Sequence, residues 1–414
     1  MRPIKFIHAA GLRLDSPYSG LRHPSAVVDE RLRSATFDAF RNLQALCVTE
    51  SPDFLLIAGG IFELQDRSAR AQLAFRDGLA TIVSGGTQVF LAFGPDDPAA
   101  AWLPTINWPD DVHVLGGKPD WHAIVKDDET AALLQGASHQ SSTLPGSPAS
   151  DFLTPPSSEV FSVSTANQIP ALDEDGSDSL DSLPGAHYWA LGPAREGSIP
   201  SDPSRRVLTI GPSQGLSPSE TGPHGCFVVQ TDEAGRAGPR FVALDTVRWE
   251  KLTLDVSQME PEGLTTAARE SVLNALGSAE GRDLVCRLTL TGTPLGHPIS
   301  VDQLLGELRE AVQFEQPWVW VDRIENLTEP APQVVGGATD ADPETHKDAG
   351  TAPLLATLNT RYNSVIHDGA LGELIKMASP EDHDPDEDRD RILIARDALA
   401  LATQHLANSK AGQS

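Results

Sequence analysis

An α/β fold of stacked sheets and helices is predicted by two observations in the first 115 residues. Three short apolar runs, IKFIHA at 4–9, DFLLIAG at 53–59 and QVFLAFG at 88–94, have the length and continuity of strands buried on both faces. The segment VDERLRSATFDAFRNLQALCVTE at 28–50 instead spaces its apolar residues at the helical period. Strands alternating with helices in this way build layers, and they place functional loops at the carboxyl ends of the strands.

Farther along, HYWALG at 187–192, RRVLTIG at 205–211 and HGCFVVQTDEAGRAGPRFVALD at 224–245 read as the strands of a second half, the last with a hairpin turn at Glu233–Gly235. Between the halves, residues 139–185 are rich in Ser, Pro, Gly and Asp. They predict a flexible surface insert, interrupted by one strand at EVFSVS, 159–164. From WEKLTLDVS at 249–257 the pattern becomes strand, helix near 261–277, strand LVCRLTLTG, helix near 301–313 and strand WVWVDRIENL. This predicts a small α+β domain. The expected boundaries are 1–246, 247–330, a Pro/Gly/Ala/Asp linker at 331–352, and a helical segment at 353–414 with helices around 353–378 and 387–408, between which lies the acidic run EDHDPDEDRD.

With 414 residues and 40% hydrophobic content, the chain can bury a sizeable core. No apolar run is long enough to cross a bilayer, and the N-terminus carries no signal-like apolar stretch, so the expected location is cytoplasmic. Cys47, Cys226 and Cys286 are far apart and outside any CxxC pairing, which fits small buried hydrophobes. The net charge of −27 repels a phosphate backbone. DNA contact is therefore expected to be weak, with only Arg67/Arg70 and Arg205/Arg206 as local basic pairs.

The segments IKFIHAAGLRLDS, PDFLLIAGGIF, VFLAFGPDDP and HYWALGPAR together resemble the SbcD/YhaO type of DNA-repair exonuclease in the calcineurin-like metallophosphoesterase superfamily. ETGPHGCFVVQTD at 220–232 and VRWEKLTLDVS at 247–257 extend the resemblance to about residue 330. It implies a calcineurin-like two-sheet sandwich flanked by helices, followed by a capping α+β domain and C-terminal helices. It also implies two Mn²⁺ or similar ions held by loops at the strand ends.

The ligand motifs of that family are altered here. Gly11 and Arg13 stand in its Asp-x-His, and Gly60 stands where Gly59 should be followed by the bridging aspartate. Gly94, Pro95, Asp96 and Asp97 stand in its Gly-Asn-His-Asp, and Asn167 in place of a histidine. Gly192, Pro193, Ala194 and Arg195 stand in its Gly-His-x-His. Glycine, proline and arginine cannot coordinate a cation through their side chains at neutral pH. The expectation is thus no catalytic residue, no metal and no cofactor, in an inactive subunit whose implied partner is a coiled-coil ATPase of the SbcC/YhaN kind, or a second copy of itself.

Two alternatives stay open. A residual hydrolase could use Asp15, Glu63, Asp96 and Asp97 as a carboxylate-only site. A metal-free binder of anions or nucleotides could use Arg13 and Arg195, unless these arginines pair with Asp15, Asp96 or Asp97 and close the loops. His8, His139 and His187 read as structural or surface histidines.

Overall fold

The computed structural model describes residues 1–21, 24–65, 68–142, 151–167, 185–193, 207–295 and 299–329. The linker at 331–352, the helices called beyond it, Arg67, Arg205 and Arg206, and much of the insert lie outside the described residues. The first half runs β1 (Lys5–Ala9), α1 (Ala26–Glu50), β2 (Phe54–Ala58), α2 (Ala69–Ser84), β3 (Gln88–Ala92) and β4 (Val112–Val114). Then come β5 (His122–Lys126), β6 (Glu129–Gly136), β7 (Phe161–Ala166), β8 (Tyr188–Leu191) and β9 (Val207–Thr209). A hairpin of β10 (Gly225–Thr231) and β11 (Ala237–Ala243) follows, and the described chain closes with β12 (Val247–Asp255), α3 (Pro261–Ser278), β13 (Asp283–Thr291), α4 (Val301–Val312) and β14 (Val319–Asn326).

One sheet has the order β11-β10-β1-β2-β3-β4 and a second the order β5-β6-β7-β8-β9. The alternation along β1 explains why they stack. Phe6 faces the second sheet, stacked on its β2 neighbour Phe54 at 4.7 Å and meeting Tyr188 of β8 edge-on at 5.2 Å. Ile7 faces the opposite way, into a cluster with Phe40 and Leu43 of α1 and Phe75 and Leu79 of α2. Each such fully buried side chain contributes roughly 1.5–3 kcal/mol. Serines cap both helices, with the Ser25 hydroxyl accepting from the Val28 amide and the Ser68 hydroxyl from the Ala71 amide.

The hairpin departs from the sequence reading. β10 and β11 do not extend the second sheet; they return to the first, β10 pairing antiparallel with β1 in the register Phe6↔Val229. This puts the 220–225 segment beside the loop that leaves β1.

Strands β12, β13 and β14 form a third, all-parallel sheet. α3 and α4 cover one face through Leu264, Ala268, Leu304 and Leu308. The other face packs on α1, where Val28, Leu32 and Ala35 meet Val247, Trp249 and Val285. The three cysteines are buried and unpaired with one another, and burial pushes the thiols of Cys47 and Cys286 up to about 12.

Candidate functional site

The loops after β1, β2, β3, β7 and β8 converge, as the family pattern requires. The first two are joined by a short backbone ladder: the amides of Gly11, Arg13 and Leu14 donate to the carbonyls of Gly59, Gly60 and Ile61 at 2.9, 2.9 and 2.8 Å. Gly11, Gly59 and Gly60 all have positive φ, of 59°, 81° and 70°, a region that side chains other than glycine's seldom adopt. Glycine at these positions is what lets the loops approach so closely.

The approach leaves little room for a side chain at these glycines. A Cβ at position 60 would lie 3.0 Å from Gly11 Cα and 3.0 Å from Pro193 Cγ. One at position 11 would lie 2.9 Å from Pro212 Cα. The Asn167 side chain presses into the same place, its amide nitrogen 2.4 Å and 2.6 Å from where a Cβ of Gly59 or Gly94 would be. Gly11, Gly60, Asn167 and Pro193 are therefore one packed cluster, with Pro95 and Asp96 on the adjoining loop. Arg195 lies outside the described residues.

Asp97 sits beneath this cluster, completely buried. Its Oδ1 accepts the amides of Gly60 at 3.0 Å and Gly94 at 2.9 Å, and its Oδ2 accepts that of Ile61 at 3.0 Å. Burial raises its carboxyl to about 6, against the pull of those three amides, and neighbouring Asp96 adds to the rise. Asp96 is exposed at the rim; desolvation and then Glu63 shift its carboxyl upward.

Arg13 pairs with neither Asp15, Asp96 nor Asp97. It turns away to Glu220, with Nη1 to Oε1 at 2.6 Å and Nη2 to Oε2 at 3.1 Å, a bidentate fork. Glu220 Oε2 also accepts the Leu216 amide at 2.6 Å. Burial pushes the Glu220 carboxyl up, but Arg13 and the Leu216 amide more than offset this, and the net shift is downward. Asp15 is occupied separately, accepting from the Ser68 hydroxyl and, at 3.2 Å, from Arg70. Sequence reasoning missed the Arg13–Glu220 pair, although Glu220 lies in the ETGPHG segment that carried the resemblance.

The histidines are structural where their contacts are defined. His8 is completely buried, with Nδ1 3.1 Å from the Tyr188 hydroxyl, and burial lowers its pKa to about 3. His187 Nδ1 accepts the Ser162 amide at 3.1 Å and lies 2.8 Å from its hydroxyl.

A two-metal centre does not fit these residues. Its ligand positions carry glycine, arginine, proline and a wedged asparagine, and a side chain at the bridging position would need Gly11 or Pro193 to move by a few tenths of an ångström and would have to adopt φ +70°. Among the described residues, no group of three or more His, Cys, Asp or Glu could hold a metal ion. None of the helices described is long and apolar enough to cross a membrane.

Comparison with known proteins is consistent with this architecture. Residues 249–329 match the family "Metallophosphoesterase YhaO, middle domain", which falls on β12 to β14. An uncharacterized metallophosphoesterase YhaO from Bacillus subtilis (strain 168) is 29% identical over 343 residues, covering 79% of this chain and 82% of that protein.

Proposed function

This chain belongs to the YhaO/SbcD-type metallophosphoesterase family, and we propose that within it the chain is a catalytically inactive interaction subunit of a DNA-repair-type complex. The observation that carries the reading is at Gly60. Where the family pattern places the carboxylate that bridges two cations, this chain has a glycine at φ +70° whose Cβ position is already in contact with Gly11 and Pro193. Two-metal phosphoester cleavage depends on cations at the attacking and leaving oxygens, and losing that stabilisation costs several kcal/mol, roughly 10³-fold or more in rate.

Of the four carboxylates in the residual-hydrolase alternative, Asp15, Glu63, Asp96 and Asp97, two are already engaged, Asp97 by backbone amides and Asp15 by Ser68 and Arg70. Anion binding through Arg13 would have to displace Glu220. The partner suggested by the family resemblance is a coiled-coil ATPase of the SbcC/YhaN kind, in the cytoplasm. With a net charge of −27, the chain would contribute little of its own to DNA contact.

The test is an exonuclease assay on linear duplex DNA with Mn²⁺, together with co-purification of a coiled-coil ATPase encoded beside this chain. The reading expects no turnover above a mock preparation, and a stable complex. Turnover that survives repurification and is lost in an Asp96→Asn variant would overturn it.

A further inference from the structure

We infer that the loops of the former metal cleft are organised by two carboxylates, Asp97 and Glu220, each gathering N–H donors where the family pattern has cations gathering anionic ligands. Asp97 binds two loops at once, Gly60 and Ile61 after β2 and Gly94 after β3, through three amide bonds of 2.9–3.0 Å. No Lys or Arg forms an ion pair with it among the described residues, so backbone dipoles alone balance its charge, as in an anion-binding nest. The Asp97 carbonyl accepts the Trp102 indole N–H at 3.2 Å, which fixes the aspartate's own loop.

Glu220 does the same for the loop after β1. It receives both terminal nitrogens of Arg13 and the Leu216 amide, joining residues 11–15 to the 213–220 stretch. The Ser213 amide reinforces that link by donating to the Gly11 carbonyl at 3.1 Å. The two centres act on adjoining loops, because Gly11 and Arg13 are themselves bonded to Gly59 and Gly60. The ends of β1, β2 and β3 are thus drawn together by groups of the chain itself. Both carboxylates occupy positions that keep the family pattern, while Arg13 is a departure from it.

Hydrogen–deuterium exchange by mass spectrometry on the full chain tests this. Asp97→Asn replaces one acceptor oxygen with a donor. It is expected to speed exchange about tenfold or more in peptides covering Gly60, Ile61 and Gly94, with peptides of α3 and β13 unchanged. Glu220→Ala, at a partly buried site, is expected to do so around Leu216 and Arg13 while sparing Gly94. EDTA and excess Mn²⁺ should leave the wild-type pattern unaltered.

Wild-type uptake in these peptides that Mn²⁺ suppresses would overturn the inference. So would Asp97→Asn and Glu220→Ala chains that exchange like wild type there. A nuclease activity in the wild-type chain would overturn the functional proposal alone and leave the exchange pattern to decide this one.

Discussion

At the entrance to the β12–β14 sheet, Asp245 has a fully buried side chain and faces two guanidiniums, Arg248 at 3.0 Å and Arg282 at 3.0 Å. At the cleft, Asp97 is as deeply buried and faces only amides. The first carboxylate is neutralised by side chains from its own neighbourhood. The second depends on the backbone of loops that fold around it, and its proton affinity rises accordingly. The contrast separates two ways of holding a buried carboxylate. Strands and the third sheet hold themselves together through apolar faces and matched ions, whereas the cleft loops close through glycines small enough to let Asp97 collect their amides.

The largest expected effect is at Asp245. Asp245→Ala leaves Arg248 and Arg282 without their shared carboxylate, Arg248 in the interior, and should cost about 3–5 kcal/mol in urea unfolding. A loss under about 1 kcal/mol would mean the two regions are not distinguished in this way.

Gly60→Asp comes next. It must adopt φ +70° and displace Gly11 or Pro193, for a cost of about 2–4 kcal/mol. Calorimetry should show no stoichiometric Mn²⁺ binding by the variant. The atoms nearest its Cβ position belong to Gly11 and Pro193.

pH sharpens the comparison further. His8, lowered to about 3 by burial, contributes stability above its unfolded value of 6.5 that is lost as pH falls toward 3. Asp97, raised to about 6, has the opposite sign: its contribution is full below 3.8 and is lost as pH rises through 6. Between pH 4 and 6, His8→Gln should therefore flatten the rise of stability with pH, and Asp97→Asn should steepen it, each by up to about 1.4 kcal/mol per pH unit. Unfolding curves for the three chains at pH 4.5 and 6 check both signs.

Smallest are the surface-facing arginines. Arg13→Ala removes a partly buried fork and should cost about 1–2 kcal/mol, against less than about 1 for Arg70→Ala, whose partner Asp15 keeps Ser68. Equal effects would place Arg13 among ordinary surface pairs.

Most strands could be read from sequence because their apolar runs are continuous, and α1, α3 and α4 because their apolar positions recur at helical spacing. Strands β4, β5 and β6 were not, since VHV is three residues long and HAIVK alternates burial in a way that a short loop can imitate. The hairpin was legible but its sheet was not, because β10 pairs with β1 across more than 200 residues. The clustering of Gly11, Gly60, Pro95, Asn167 and Pro193 was expected through the family resemblance; contacts join Gly11, Gly60 and Pro193 and set Asn167 against Gly59 and Gly94. The Arg13–Glu220 pair was not. Its partners are 207 positions apart, and local charge pointed instead to Asp15, Asp96 and Asp97. Asp97 could be recognised as a retained residue, but its three amide partners depend on backbone geometry that spacing does not encode.

A cleft closed by the chain's own groups has no place for a pair of cations. Titration of the purified wild-type chain with Mn²⁺ by isothermal calorimetry, after EDTA treatment and buffer exchange, tests it most directly. The account predicts no saturable heat from the cleft, and no difference between the wild type and a Pro95→Ala/Asp96→Asn variant. Saturable binding of about two Mn²⁺ per chain, the number a two-metal site requires, that disappears in that variant would contradict it.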